Sequence, residues 1–172
     1  MGSGLTYLPT RQGRIYLSLV TNAFSQRIVG PHIHPSLHTA GCLAALDRTV
    51  RRASRAATGC VHHSDRSNQY TSDAYRVALG KAQLRCPITD GHDCDQNALV
   101  ERVSGILKDE FLFVLPAAVT QARLLVDQAI HLCNEEHPCL TMNYLTFNKS
   151  HQQGRSPAEK SERNPCLIPV NK

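Results

Sequence analysis

Two acids stand out by type and spacing. Asp65 lies in His-Ser-Asp-Arg-Ser-Asn-Gln-Tyr (63–70) and Glu101 in Asn-Ala-Leu-Val-Glu-Arg (97–102), with thirty-five residues between them. Carboxylate oxygens are hard ligands suited to Mg²⁺ or Mn²⁺. Two such ions can activate an attacking oxygen and stabilise a leaving one in phosphoryl transfer. The economical version of such a centre needs three acids, one bridging both ions and one more for each. Asp65 and Glu101 supply two.

The elements around them read as mixed α/β. Leu5–Leu8 is a short strand, Gly13 breaks a turn, and Arg14–Thr21 is rich in β-formers. Arg27–Val29, extending toward His34, gives a third strand of an antiparallel meander. A helix is expected over roughly 37–57, with Leu43, Leu46, Val50, Ala53 and Ala57 as its apolar stripe. Arg48, Arg51, Arg52 and Arg55 occupy another face, either solvated or set against phosphates. Cys60–His63 is a fourth strand that leads into Asp65, a helix follows over about 71–84 with Thr71 or Ser72 as cap, and Arg85–Ile88 is a short fifth strand. Sites in open α/β sheets gather at the carboxyl ends of strands, where Asp65 would sit.

Glu101 belongs to a long helix over about 97–113, followed by another over 117–133. Glu101, Ser104, Gly105 and Lys108 recur at helical spacing and share one polar face; Val100, Val103, Ile106, Leu107 and Phe111 populate the other. Glycine costs about 1 kcal/mol relative to alanine inside a helix, so Gly105 fits a place where a nucleic-acid backbone approaches closely. Lys108 could neutralise a phosphate. An ordinary solvated helix face with a tolerated glycine accounts for the same pattern.

Composition bounds the reading. The 172 residues suffice for one domain with a core, and 41% apolar with 19% charged content is that of a soluble globular protein. No apolar run reaches the roughly 20 residues of a membrane span, and no signal peptide is visible, so a cytoplasmic location is expected. The net charge of +5 is uneven: residues 1–60 hold seven Lys/Arg and one acid, residues 61–172 twelve and thirteen. A basic N-terminal part is compatible with a polyanionic partner. The seven cysteines, odd in number, argue against a disulfide framework. The sets His32/His34/His38 and Cys133/His137/Cys139 lack the paired spacing of a zinc ribbon or finger. A Cys94/His63 nucleophile would lack any oxyanion motif.

Three stretches together carry a family resemblance: LTYLPTRQGRIYLSLVTNAFSQRIVG, HSDRSNQYTSDAYR and NALVERVSGILKDEF. With CNEEHPCL (133–140) and residues 143–151, they resemble the integrase core of bacterial insertion-sequence transposases, in the retroviral-integrase-like superfamily. The resemblance spans about residues 4–152. It implies a ribonuclease H-like fold, with a mixed five-stranded sheet in order 3-2-1-4-5 flanked by helices. It also implies a catalytic core over 1–152, while the polar tail over 153–172, with Pro157 and Pro165, reads as poorly ordered.

The family's catalytic and metal-binding triad is Asp, Asp, Glu. Asp65 and Glu101 match the second and third acids, and the first falls at Gly4, which has no carboxylate. Lys108, with Arg102, Ser104 and Gly105, is the expected DNA-binding set. The implied cofactor is Mg²⁺ or Mn²⁺, weakened by the missing acid, although Asp90, Asp93 and Asp95 precede the Glu101 helix. The implied partners are DNA, as transposon ends and target, and further copies of the chain in a homo-oligomer, in a bacterial, nucleoid-associated setting. Ser67, Asn22 and Phe147 stand where Gly, Asp and Pro are usual. The expected function is DNA cleavage and strand transfer, impaired at Gly4; the alternative is an inactive DNA-binding or oligomerisation remnant.

Overall fold

The computed structural model describes residues 1–53, 59–64, 67–86, 94–112, 114–139 and 143–153, without the side chains of 94–97 and 111. Asp65, Asp90 and Asp93 lie outside these residues, as does the tail from 154; Asp95 is described in backbone only.

Strands β1 (Gly2–Thr10) and β2 (Gly13–Thr21) form a hairpin whose register runs from Gly2↔Thr21 to Thr10↔Gly13. The turn closes because Thr10 Oγ1 donates to the Gly13 carbonyl at 2.7 Å and accepts from Gln12 N at 3.2 Å. Strand β3 (His32–His34) pairs antiparallel with β2, and β4 (His63–Ser64) pairs parallel with Gly2 and Ser3 of β1. The sheet order is thus β3-β2-β1-β4.

Helices cover both faces, as a doubly covered sheet requires. On one face lie α1 (Thr39–Ala53), α2 (Asn68–Thr71) and α3 (Asp73–Lys81), where Cys42, Leu46, Tyr75 and Leu79 are buried with Val20 and Met1. On the other lie α4 (Cys94–Ile106), a π-helical turn (Leu107–Phe111), α5 (Val119–Glu135) and α6 (Phe147–Gln153). Val103, Leu107, Val126, Ile130 and Phe147 pack there against Leu8, Ile15, Leu17 and Leu19.

Three expectations are corrected. The five-stranded sheet in order 3-2-1-4-5 is instead a four-stranded sheet plus a separate antiparallel pair, β5 (Pro138–Cys139) and β6 (Leu145–Thr146). Among the described residues, the fifth position is one parallel bridge, Val61↔Arg85, held by His62 N to Arg85 O (2.8 Å) and Arg85 N to Cys60 O (2.9 Å).

The third strand occupies only His32–His34, the far end of the expected 27–34 stretch. Thr21 opposes Ile28 but Ser18 opposes His32, so one extra residue intervenes. The N–H groups of Val29 and Gly30 both reach the Val20 carbonyl, at 2.8 and 3.2 Å. This is a β-bulge, and it displaces the ladder toward His32. Gly30 is needed there, because a β-carbon would stand 1.9 Å from Thr49 Oγ1 and 2.4 Å from the Ala45 carbonyl of α1. Arg48 and Arg52 are committed to this corner, donating to the carbonyls of Pro31 (2.9 Å) and Val29 (3.2 Å), while Arg51 pairs with Asp47.

The third correction concerns the cysteines. Cys42, Cys86, Cys133 and Cys139 are free thiols, but Cys60 is disulfide-bonded.

Candidate active site

Glu101 sits on α4 because that helix has one wholly apolar side. Val100, Val103 and Leu107 are buried against the sheet, which turns Glu101 and Arg102 to solvent and leaves Ser104, Gly105 and Lys108 half-buried at the rim. The helix begins at Cys94, three residues ahead of the expected start, and does not continue regularly to 113. At Leu107 it widens into the π-helical turn that carries Lys108.

The expected site residues converge in part. A cleft of ≈ 230 Å³ is lined by Gly4, Leu5 and Thr6 of β1 and by Val100, Glu101, Ser104, Gly105 and Lys108. Gly4, the position expected to carry the first acid, therefore shares a cleft with Glu101 and the expected DNA-contacting residues, although they are about a hundred positions apart in sequence. Arg102 is exposed and does not line the cleft. Asp65 lies outside the described residues; its chain neighbour Ser64 pairs with Ser3, the residue before Gly4.

Gly4 is buried, and its glycine has a packing consequence. A β-carbon there would stand 2.5 Å from Val100 Cγ1 and 3.4 Å from Val100 Cβ. Val100 thus occupies the space through which a side chain at position 4 would leave the strand. Gly105 differs: a β-carbon there would meet nothing closer than Asp109 Oδ2 at 3.9 Å, so packing does not require glycine.

These facts bear on a divalent-ion centre. Within the described residues the cleft offers one carboxylate, Glu101, beside the Lys108 ammonium. No group of three or more His, Cys, Asp or Glu converges anywhere among the described residues. Among the described residues, position 4 supplies no ligand to such a centre, and Val100 fills its outlet.

Beneath β1 and β4 lies a buried polar cluster that the sequence reading missed. His62 Nε2 is 3.1 Å from Ser3 Oγ and 3.0 Å from the Tyr75 hydroxyl. Burial pushes the imidazole down to about 3, with the N-terminal ammonium and His63 adding to the effect. The local signal was only a polar residue in each segment, Ser3 within Gly-Ser-Gly and His62 within Val-His-His. Asn22, where the family usually has Asp, caps its own turn: its Oδ1 accepts from Phe24 N and Ser25 N, both at 3.0 Å. Phe147, where Pro is usual, is fully buried in the core.

The architecture is that of retroviral integrase catalytic cores. The HTLV-2 integrase catalytic core domain, solved with magnesium in a trimeric form, superposes with a TM-score of 0.67 at 13% identity, covering 87% of this chain and 93% of that one. A chain of the simian T-cell lymphotropic virus intasome, solved in complex with PP2A regulatory subunit B56 gamma, gives 0.71 at 17%, covering 99% and 58%. At these identities the likeness establishes the fold, an α/β arrangement of ribonuclease H type.

Within that class the relationship is to insertion-sequence transposases. Residues 82–146 match the family model described as integrase core domain. The transposase for insertion sequence element IS629 of Shigella sonnei is 35% identical over 103 residues, covering 60% of this chain and 34% of that protein. The putative transposase for IS986/IS6110 of Mycobacterium tuberculosis is 29% identical over 112 residues, covering 63% and 40%. The chain is thus similar to these transposases, and it spans well under half of their length.

Proposed function

We propose that the chain engages DNA at the cleft between β1 and α4 as a transposase integrase core, and that its metal-dependent cleavage and strand transfer are impaired at Gly4. The observation that carries this reading is the meeting of Gly4, Glu101, Gly105 and Lys108 in one cleft. Glu101 and Asp65 are the proposed remaining acids of the triad. Bound Mg²⁺ or Mn²⁺ would supply activation of the attacking oxygen and stabilisation of the leaving one. Lys108 would hold a backbone phosphate, and the half-buried Gly105 would let that backbone approach the helix. Arg102, exposed beside them, would meet DNA outside the cleft.

The close approach of Val100 to Gly4 favours the stricter alternative, a DNA-binding or oligomerising remnant without activity. The experiment is a cleavage and joining assay in Mg²⁺ and Mn²⁺, on DNA carrying the ends of the chain's own element. The unaltered chain, G4D/V100A and G4D/V100A/E101Q are compared. Background activity in the first, gain in the second and loss again in the third support an impaired triad. No gain in the second supports the remnant. Full strand transfer by the unaltered chain overturns the impairment.

A further inference from the structure

β4 pairs only with Gly2 and Ser3, so from Gly4 onward the outer edge of β1 has no strand beside it among the described residues. Tyr7 lies on this edge and is 53% exposed. Alternation along the strand directs it to the face opposite Leu8, which is buried under α4 and α5. Two cations nevertheless meet its ring. The Arg14 guanidinium carbon is 5.3 Å from the ring centroid, and Lys108 Nζ, reaching from the cleft, is 5.0 Å from it. Both distances are within cation–π range. The register explains Arg14: Tyr7 faces Tyr16, and Arg14 is the diagonal neighbour on the same sheet face.

We propose that Tyr7 is a positioning residue that holds Arg14 and Lys108 as a paired clamp for the phosphates of one DNA strand at the mouth of the cleft. This rests on the DNA-binding reading above and adds Tyr7 and Arg14 to it. An ion pair would order a long basic side chain but neutralise it. An aromatic face orders the same side chain and leaves its charge available for phosphate. That matters here, because Glu101 lines the cleft and the Asp109 carboxylate lies beside Gly105. Cations fixed at the rim would help offset those acids for an approaching backbone. The two ring distances put the charges at most about 10 Å apart.

The test is the affinity of the full chain for a short duplex, measured by fluorescence anisotropy across a salt series for the unaltered protein, Y7F, Y7L, R14Q and K108Q. Phenylalanine keeps the ring face, so Y7F binds like the unaltered chain. Y7L, which touches neither phosphate nor charge, binds about 3- to 10-fold more weakly. Its salt slope falls by about 1, as does that of R14Q. Y7L combined with R14Q loses less than the two separate losses together. If Y7L keeps full affinity and slope while K108Q weakens binding, the clamp is overturned and DNA binding at the cleft stands. If the unaltered chain binds no DNA, both fall.

Discussion

A β-carbon at position 4 would stand 2.5 Å from Val100 Cγ1, and that carbon cannot easily turn away. Valine in a helix holds one χ1 rotamer in about 90% of cases, and Val100 lies on the buried face of α4 with Val103. Restoring an acid at Gly4 alone therefore forces overpacking between strand and helix, at a cost of about 1–3 kcal/mol. We expect G4D to lower the thermal midpoint. V100A keeps the Cβ at 3.4 Å, an ordinary contact, so G4D/V100A should lie closer to V100A alone than G4D lies to the unaltered chain. Thermal melts of the four proteins measure this, and additive losses would show that Val100 is not the obstacle. The pairing also changes what a single substitution means. An inactive G4D protein would not argue against an integrase-type site, because the acid would enter a place already occupied.

At the scale of elements, β1, β4 and α3 meet over His62. Its imidazole is held near 3 by burial, below the ordinary 6.5, so the folded chain keeps it neutral where the unfolded chain protonates it. The stabilising contribution is complete above 6.5 and is lost as pH falls toward 3, by about 1.4 kcal/mol per pH unit well below 6.5. Urea unfolding between pH 7 and 5 should therefore show a steeper fall for the unaltered chain than for H62Q. Equal slopes would show that His62 does not carry the dependence. Y75F, which removes one buried partner of Nε2, should cost about 1–2 kcal/mol at pH 7.

The elements also show how far the sequence was legible. Periodicity placed β1, β2, the Ser72 cap and the apolar side of α4, because each is a local pattern. It missed the bulge at Val29–Gly30, which is defined only by the Val20 carbonyl across the ladder. On α1 it placed Leu46 correctly, whereas Leu43, Val50 and Ala53 are only half-buried against the same core and Ala57 lies outside the described residues. The buried residues are Cys42, Ala45, Leu46 and Thr49, because α1 is docked by the close approach of Gly30 to Thr49. The arginines of α1 offered either solvent or phosphate as partners; two found backbone carbonyls from a segment some twenty residues away. The shared cleft of Gly4 and Glu101 followed from the family pattern, whereas the Val100 side chain that closes it could be found only in three dimensions.

For the whole molecule, charge and site make one expectation together. The net charge is +5, and residues 1–60 carry seven of the basic residues against one acid. Part of that excess is spent internally, since Arg48 and Arg52 donate to backbone carbonyls and Arg51 pairs with Asp47. Arg14 and Lys108 instead lie over the Tyr7 ring, where they are proposed to meet phosphate. Contacts from such side chains to phosphate give affinity and register but carry no base information. The cleft walls offer Gly, Leu, Thr, Val and Ser beside them, with one carboxylate. We therefore expect this chain by itself to bind duplex DNA with a marked salt dependence and little preference among sequences. Competition measures this directly: unlabelled DNA of unrelated sequence should displace a labelled element end within a few-fold of the efficiency of the end itself. Discrimination of a hundredfold or more would mean that base edges are read by residues of this chain, and would move the interface away from the β1–α4 cleft.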